Sequence, residues 1–215
     1  MKLTVSVLFL FVWTMSVYSA QFTIGRIKYS GGGDWYTDPS GLVNWLSEAK
    51  RVLRLDAAEK ESVVELYDSA LYRYPLLFMS GHGNVVFSST ETKNLREYLI
   101  RGGTLYVNDD YGFDKAFRRE MGKVFPELSF VELSFDHPVF RCYFEMTYFP
   151  KVHKHDGKPP QLFALSYEGR IVVWYTHEAD IVDGLVDEEI FNDSPQDRAE
   201  AMKFALNLLV YILTH

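Results

Sequence analysis

The chain has 215 residues, of which 47% are hydrophobic and 24% charged, the balance of one folded domain rather than of a disordered or fibrous chain. Its formal charge is −7 and no run of lysine or arginine interrupts it, which argues against sequence-independent binding to nucleic acid or to an anionic membrane surface. The single cysteine, Cys142, excludes an internal disulfide framework.

Residues 1–19 have the pattern of an export signal. A short basic start precedes the apolar residues 5–13, and small residues follow at a plausible cleavage point. We expect cleavage after Ser19, which leaves 20–215 as a single exported domain, periplasmic or extracellular. The alternative is an uncleaved anchor, although the apolar stretch is shorter than the ~20 residues of a spanning helix.

Strands and helices are predicted to alternate along the rest of the chain. Residues 22–29 have the alternation of a strand, and the next helix is expected to begin with Asp38 as its N-cap and Pro39 in its first position. Strands are predicted at 62–66 and 75–79, and the second of these is continuously apolar, as in a parallel sheet buried on both faces.

The second half of the chain continues this alternation. Ser88 and Glu91 have the spacing of a capping box, which predicts a helix that runs to Arg101. The remaining predicted elements are a strand at 104–107, a helix capped by Asp114 and running to Val124, a strand at 128–133, a hairpin of 162–167 and 170–176, and a helix that starts at Ser194.

This order of elements predicts an α/β fold with an open, mainly parallel, doubly wound sheet and an antiparallel hairpin added at one edge. Repeated strand, helix, strand units connect parallel strands through right-handed crossovers. In such sheets ligands bind outside the carboxyl ends of the strands, near the point where the strand order reverses. The loops that follow the strands are therefore the candidate site.

Two of these loops carry the candidate catalytic residues. His82 lies between two glycines after one buried strand, and Asp109 and Asp110 follow the next. An imidazole and a carboxylate that face one cavity can activate a water molecule, and a carboxylate also accepts hydrogen bonds from ligand hydroxyls. Because successive residues at a strand end point in different directions, we expect one carboxylate to face the site and the other to hold the following turn. The alternative is that all three residues only support turns.

Neighbouring loops supply candidate ligand contacts. Asp34, Trp35 and Tyr36 combine a carboxylate for hydroxyl groups with aromatic faces for a sugar or polyol ring, although Trp35 could instead close one end of the core. The glycines at 31–33 lack the order of a phosphate-binding loop. The other candidate ligand-binding residues are Gly33, Ser80, Asn108, Asp136, His137 and His155.

The sequence assigns no metal ligand and identifies no cofactor. Acid and imidazole pairs occur at 136–137 and 155–156, but no H-E-x-x-H or cysteine-pair spacing is present. The acidic residues between 180 and 193 are expected to form a solvated loop, with a calcium site as an alternative that lacks the usual residue order. Cys142 lies among aromatic residues without a glycine-flanked elbow, which predicts a buried core thiol.

A series of motifs resembles one bacterial family. The motifs are GGGDWYTDPS, YPLLFMSGHGNVVFSSTE, LREYLIRGGTLYVNDDYGFDKAFRREM, VFPEL, DHPVF, HDGKPP and NLLVYIL, in this order over nearly all of residues 22–213. Their spacing is similar to that of an exported or membrane-attached family called domain of unknown function 4159. That family resembles the class I glutamine amidotransferase-like superfamily, which implies a flavodoxin-like sheet and no assigned activity.

The resemblance also bears on mechanism. Class I amidotransferases place a nucleophilic cysteine on a tight strand-to-helix turn, and here Asn108, Asp109 and Asp110 occupy that turn. We therefore expect a domain that binds a small polar or saccharide-like ligand, or a protein partner in the cell envelope, without a cysteine nucleophile. The alternative is a hydrolase in which His82 and one of the two aspartates activate water, with or without a metal, so the sequence leaves open whether the protein is an enzyme.

Overall fold

One seven-stranded sheet organises the chain in a computed structural model that describes residues 21–153 and 155–215; the predicted export signal at 1–19 lies outside the described residues. The strands are β1 Ile24–Ile27, β2 Ser62–Val64, β3 Leu76–Gly81, β4 Thr104–Asp109, β5 Val131–Glu132, β6 Gln161–Tyr167 and β7 Arg170–His177. Their order is β2-β1-β3-β4-β7-β6-β5. The first five strands in this order are parallel, and β6 pairs antiparallel with β7 and β5. The predicted α/β fold, with a mainly parallel sheet and an antiparallel hairpin, is confirmed.

Helices cover both faces of the sheet. They are α1 Gly41–Glu48, which continues into a π-helical segment at Ala49–Leu53, α2 Ser89–Ile100, α3 Asp114–Val124, α4 Glu188–Phe191 and α5 Pro195–Thr214. The apolar residues of α1 and α5 form one core with the sheet, and those of α2 and α3 form a second core on the opposite face. Within the described ranges, no helix is long and apolar enough to cross a membrane.

The strand order reverses between β1 and β3. The connection from β1 leads to β2 on one side, and the next connection returns to place β3 on the other side of β1. With β7 in the fifth position, the parallel strands have the 2-1-3-4-5 order described for flavodoxin-like sheets. The loops after β1 and β3 therefore meet at the switch point of the sheet.

Helix starts that depend on neighbouring residues formed as predicted. The capping box at α2 is complete, because Ser88 Oγ accepts from the Glu91 backbone N–H at 3.3 Å and the Glu91 carboxylate accepts from the Ser88 N–H at 2.8 Å. Ser194 caps α5 by accepting from the Asp197 N–H at 3.2 Å.

Two other predicted caps are wrong. Asp38 has a left-handed backbone, with φ of 55°, and α1 begins three residues later at Gly41, where a side chain would collide with Val182. Asp114 is the first residue of α3 rather than its cap, and its carboxylate accepts from the Tyr175 hydroxyl at 3.0 Å. Both carboxylates are used in tertiary contacts. The predicted strand at 128–133 is also shorter, since only β5 forms there.

Gly81 shapes the end of β3, and its replacement tests how tightly the switch point is packed. Its φ is +140° and an added Cβ would collide with the Tyr29 hydroxyl, whereas Gly83 has a φ of +78° and open space around it. Both alanine variants carry backbone strain, so we expect Gly83→Ala to lower the free energy of unfolding by ~1 kcal/mol and Gly81→Ala by at least twice as much. Urea unfolding measures both values, and equal losses would contradict this packing.

Candidate functional site

An aspartate and a histidine form a pair at the switch point. Asp34, from the loop after β1, accepts from the His82 backbone N–H at 2.5 Å and lies 3.0 Å from His82 Nδ1. Because a carboxylate only accepts, Nδ1 carries the hydrogen of that bond and a neutral ring keeps Nε2 as an acceptor. The His82 side chain is 52% exposed. The sequence placed both residues in the site but paired His82 with Asp109 or Asp110 instead of with Asp34.

A buried arginine holds the loop that carries this pair. Arg26 is 3% exposed and donates to the backbone carbonyls of Trp35, Thr37 and Asp38 at 3.4, 2.7 and 3.2 Å. Three charge-assisted bonds to one short segment fix its backbone. Tyr36, on the same segment, is 65% exposed and meets the Trp35 ring edge to face at 5.6 Å. The loop therefore presents an aromatic surface on a rigid support.

The two aspartates at the end of β4 face different surroundings, as predicted. Asp109 accepts from the Phe113 N–H at 2.9 Å and lies 3.3 Å from the Tyr175 hydroxyl, so it holds the start of α3. Asp110 accepts from the Thr37 hydroxyl at 2.7 Å and from the Asn108 side-chain amide. Asp110 is therefore the carboxylate that faces the switch-point loop.

Asp110 belongs to a group of three buried aspartates. Asp38, Asp110 and Asp183 are 4%, 2% and 5% exposed, and each offers a carboxylate oxygen within 4.8 Å of the others. The hydroxyl of Thr37 also lies 3.3 Å from Asp38. Asp183 Oδ1 has no hydrogen-bond partner among the described residues.

Two histidines lie beside these and other buried aspartates. His153 lies between two carboxylates, with Nδ1 2.9 Å from Asp183 Oδ2 and Nε2 3.0 Å from Asp193 Oδ1. His155 Nε2 lies 2.8 Å from Asp180 Oδ2, and the His155 ring stacks on Tyr111 with centroids 4.5 Å apart. An acidic rim, formed by Asp38, Asp110, Asp180, Asp183, Asp193, His153 and His155, thus adjoins the switch point.

Burial and like charges shift the titration of this acidic rim. Burial raises the pKa of Asp110 to about 7 and that of Asp180 to about 8, and the charge of Asp183 acts in the same direction on both. Burial also raises the pKa of Asp38 well above its ordinary value. The hydrogen bond to Asp183 raises the pKa of His153 to about 9.

Several predicted contacts are buried supports. Ser80 is 1% exposed, with Oγ 3.2 Å from Thr37 Oγ1, and Asn108 is fully buried. Gly33 donates its N–H to the Asn84 carbonyl, and a side chain there would collide with the 82–84 backbone. These three residues shape the loops around the site.

Other candidates lie outside the rim. The Asp136 side chain is 95% exposed beside Arg141, and the His137 ring packs on Trp174 and Tyr211 at 5.8 and 5.3 Å. Cys142 is only partly buried, which corrects the prediction of a core thiol. Its Sγ lies 3.2 Å from the Asn207 carbonyl of α5. The structure therefore does not bring these residues to the strand ends with His82.

Sequence reasoning missed the aspartates of the β7 loop. Asp180 and Asp183 were predicted to lie in a solvated stretch, but they are 0% and 5% exposed, while the residues at 187–189 are exposed as expected. Apolar residues flank both aspartates, in contrast to the continuous acids at 187–189, and this difference was the available signal. Tyr111 was also missed; its φ of 81° is unusual for an aromatic residue.

A cavity of about 310 Å³ lies at the opposite end of the sheet, lined by residues that include Thr104, Arg170 and Tyr211. Thr104 and Arg170 are the first residues of β4 and β7. This cavity therefore lies away from the carboxyl ends and the polar groups described above.

Fold and site together define an α/β protein with a doubly wound, mainly parallel sheet and an acidic, histidine-containing rim at the carboxyl ends of its strands. A family model described as a domain of unknown function (DUF4159) matches residues 23–213. The chain belongs to this family, as the sequence motifs indicated. A comparison with curated proteins gives no match.

The buried carboxyl of Asp110 makes stability depend on pH. Its pKa is raised to about 7 from the ordinary value of 3.8, and the titratable groups that face it are Asp38, Asp183 and His82. The folded chain therefore binds more protons than the unfolded chain between these pH values, and the free energy of unfolding falls as pH rises through this window. Asp180 acts in the same direction.

We expect Asp110→Asn to flatten this fall, because the amide keeps the shape of the side chain but does not ionise. Urea unfolding of the parent and the variant at pH 5 and pH 7.5 measures the difference. Asp136→Asn, which changes an exposed carboxylate, serves as the control. The same pH slope in Asp110→Asn and in the parent would show that Asp110 does not carry this titration.

Proposed function

We propose that this domain is exported and binds a small, hydroxyl-rich ligand of the saccharide class at the switch point, without a cysteine nucleophile. The observation that carries the proposal is the Asp34–His82 pair, which lies between the carboxyl ends of β1 and β3. In open α/β sheets this position is where ligands bind. Export is proposed from the pattern of residues 1–19 alone.

The chemistry of the pair suits hydroxyl groups. His82 Nε2 accepts a hydrogen bond in the neutral ring, and the exposed part of the Asp34 carboxylate accepts others. Tyr36 adds an exposed aromatic face of the kind on which the apolar face of a sugar ring packs. Because Arg26 fixes the backbone of this loop, little conformational entropy is lost when a ligand binds.

The absence of a cysteine at the strand-to-helix turn supports a thiol-free function. Asn108, Asp109 and Asp110 occupy the end of β4. Cys142 lies against α5, and burial raises the pKa of its thiol, which lowers the fraction of reactive thiolate. Glutamine hydrolysis by the cysteine route of the amidotransferases is therefore not part of the proposal.

A second candidate function is hydrolysis with His82 as the general base. The 3.0 Å contact between Asp34 and His82 Nδ1 favours it, because a carboxylate that orients the ring leaves Nε2 to take a proton from water. Asp34, and not Asp109, is the orienting residue in this version. Asp109 is already engaged by Phe113 and Tyr175.

Substitutions at the pair test the ligand site. A thermal-shift screen of the full chain against monosaccharides, disaccharides and soluble peptidoglycan fragments identifies a ligand, since binding to the native state raises its apparent stability. We expect His82→Ala and Asp34→Asn each to weaken binding by at least about tenfold with less than ~1 kcal/mol of lost stability, because the His82 side chain is about half exposed and asparagine keeps the shape of the partly exposed Asp34 side chain. Asp136→Asn should bind as the parent does.

The same variants separate the two functions. Under hydrolysis, His82→Ala lowers kcat by roughly 10²-fold or more with little change in KM, because a general base acts on the chemical step. Under binding alone, the parent releases no product and only the affinity changes. Unchanged affinity and turnover in both variants would remove the switch point as the functional site.

Cys142→Ala tests the thiol-free mechanism. We expect the variant to retain ligand binding and to lose only ~1 kcal/mol of stability, since the side chain is partly buried against α5. Calorimetric titration with the ligand found above measures this. Loss of binding or turnover at unchanged stability would instead indicate a functional thiol.

A further inference from the structure

The carboxylate of Asp180 is buried without a hydrogen-bond donor. Its side chain is 1% exposed, and neither oxygen accepts a hydrogen bond from any described residue. Oδ2 lies 2.8 Å from His155 Nε2, yet the contact lacks hydrogen-bond geometry. A buried carboxylate without donors is costly, so such groups are usually paired or bound to a cation.

The imidazole of His153 lies near the pair of Asp180 and His155, so three potential ligand atoms come together. His153, His155 and Asp180 each offer one atom within 4.8 Å of the other two. A tetrahedral ion with bonds of about 2.0–2.1 Å holds its ligand atoms roughly 3.3 Å apart. The three groups therefore need to move inward by only about 1 Å to share one ion.

We propose that His153, His155 and Asp180 form a binding site for a divalent transition-metal ion of the zinc class. Two imidazole nitrogens and one carboxylate oxygen suit zinc, iron, nickel or cobalt, whereas magnesium and calcium take oxygen ligands. This site does not depend on the ligand proposed for the Asp34–His82 pair.

The residues behind the site support this assignment. Both nitrogens of His153 face carboxylates, those of Asp183 and Asp193, so either nitrogen can bind the ion while the other keeps an orienting partner. His155 is held by its stacking on Tyr111. Such outer contacts fix ligand rings before the ion arrives.

The two loops that supply the ligands are already joined. The Val152 N–H donates to the Ala179 carbonyl at 2.9 Å, and Lys151 Nζ lies 2.8 Å from Glu178 Oε2. These contacts place the histidine loop beside the turn after β7. An ion would therefore cross-link two segments whose approach the chain itself has set.

The neighbouring group of three aspartates is a weaker candidate for a metal site. In the cluster of Asp38, Asp110 and Asp183, both oxygens of Asp110 already accept from Thr37 and Asn108. The histidine-containing set has a nitrogen-rich donor group and a carboxylate with both oxygens unpartnered among the described residues. It is therefore the one to which we assign the ion.

Calorimetric titration of the chelator-treated full chain with zinc chloride tests the site, with magnesium and calcium chloride as comparisons. We expect one zinc ion per chain, no comparable binding of magnesium or calcium, and a rise in the unfolding temperature with zinc. His155→Ala and Asp180→Asn should each weaken zinc binding by about 100-fold or more. Cobalt provides a spectroscopic check, since its visible absorption reports coordination by the protein.

Each control variant changes a side chain of a metal-binding type that lies outside the proposed site. His215→Ala, Asp136→Asn and Cys142→Ala should bind zinc as the parent does. Circular dichroism confirms folding, and if His155→Ala does not fold, Asp180→Asn decides, because it preserves the side-chain shape. No saturable zinc binding by the parent, unchanged affinity in a folded Asp180→Asn, or loss of binding in a control variant would each overturn the proposal.

Discussion

The burial of carboxylates at one end of a parallel sheet is the constraint on which this region of the structure depends. Each ionised carboxylate removed from water costs several kcal/mol unless donors or cations replace the lost hydration. The surrounding loops supply such partners: Thr37 and Asn108 for Asp110, and His153 for Asp183. The conformation of these loops is therefore tied to the need to supply hydrogen-bond donors or cations to the buried carboxylates.

The sheet explains why these groups meet. β3 and β4 pair in parallel with Gly81 opposite Asp109, so His82 and Asp110 leave adjacent strands side by side. β7 lies on the other side of β4, and the turn after it brings Asp180 to the same edge. Parallel pairing alone thus collects groups that are distant in sequence, and the helices on both faces keep this edge as the place where polar loops accumulate.

The features that could be predicted from sequence are those set by near neighbours. The capping box at Ser88 and the apolar run of β3 depend on residues within one turn or one strand, and both formed as expected. Asp38 has the local features of a helix cap, but the buried acidic cluster takes its side chain instead. Asp180 was misjudged for the same reason: its burial depends on a loop more than twenty residues earlier, which no local pattern contains.

The turn after β4 is built from side chains that already have protein partners. Asn108 connects Asp110 to Thr176 and to the Val182 N–H, so this turn ties together three segments of the chain. Side chains whose hydrogen bonds are all made within the protein contribute little to the free energy of ligand binding, because binding would first have to break those contacts. Among the described residues, the Nε2 atom of His82 and the carboxylate of Asp180 are two groups that keep unused hydrogen-bonding capacity, and Asp183 Oδ1 is another. We therefore expect ligand contacts in this chain to come from the loops on either side of that turn, which carry His82 and Asp180, and not from the turn itself.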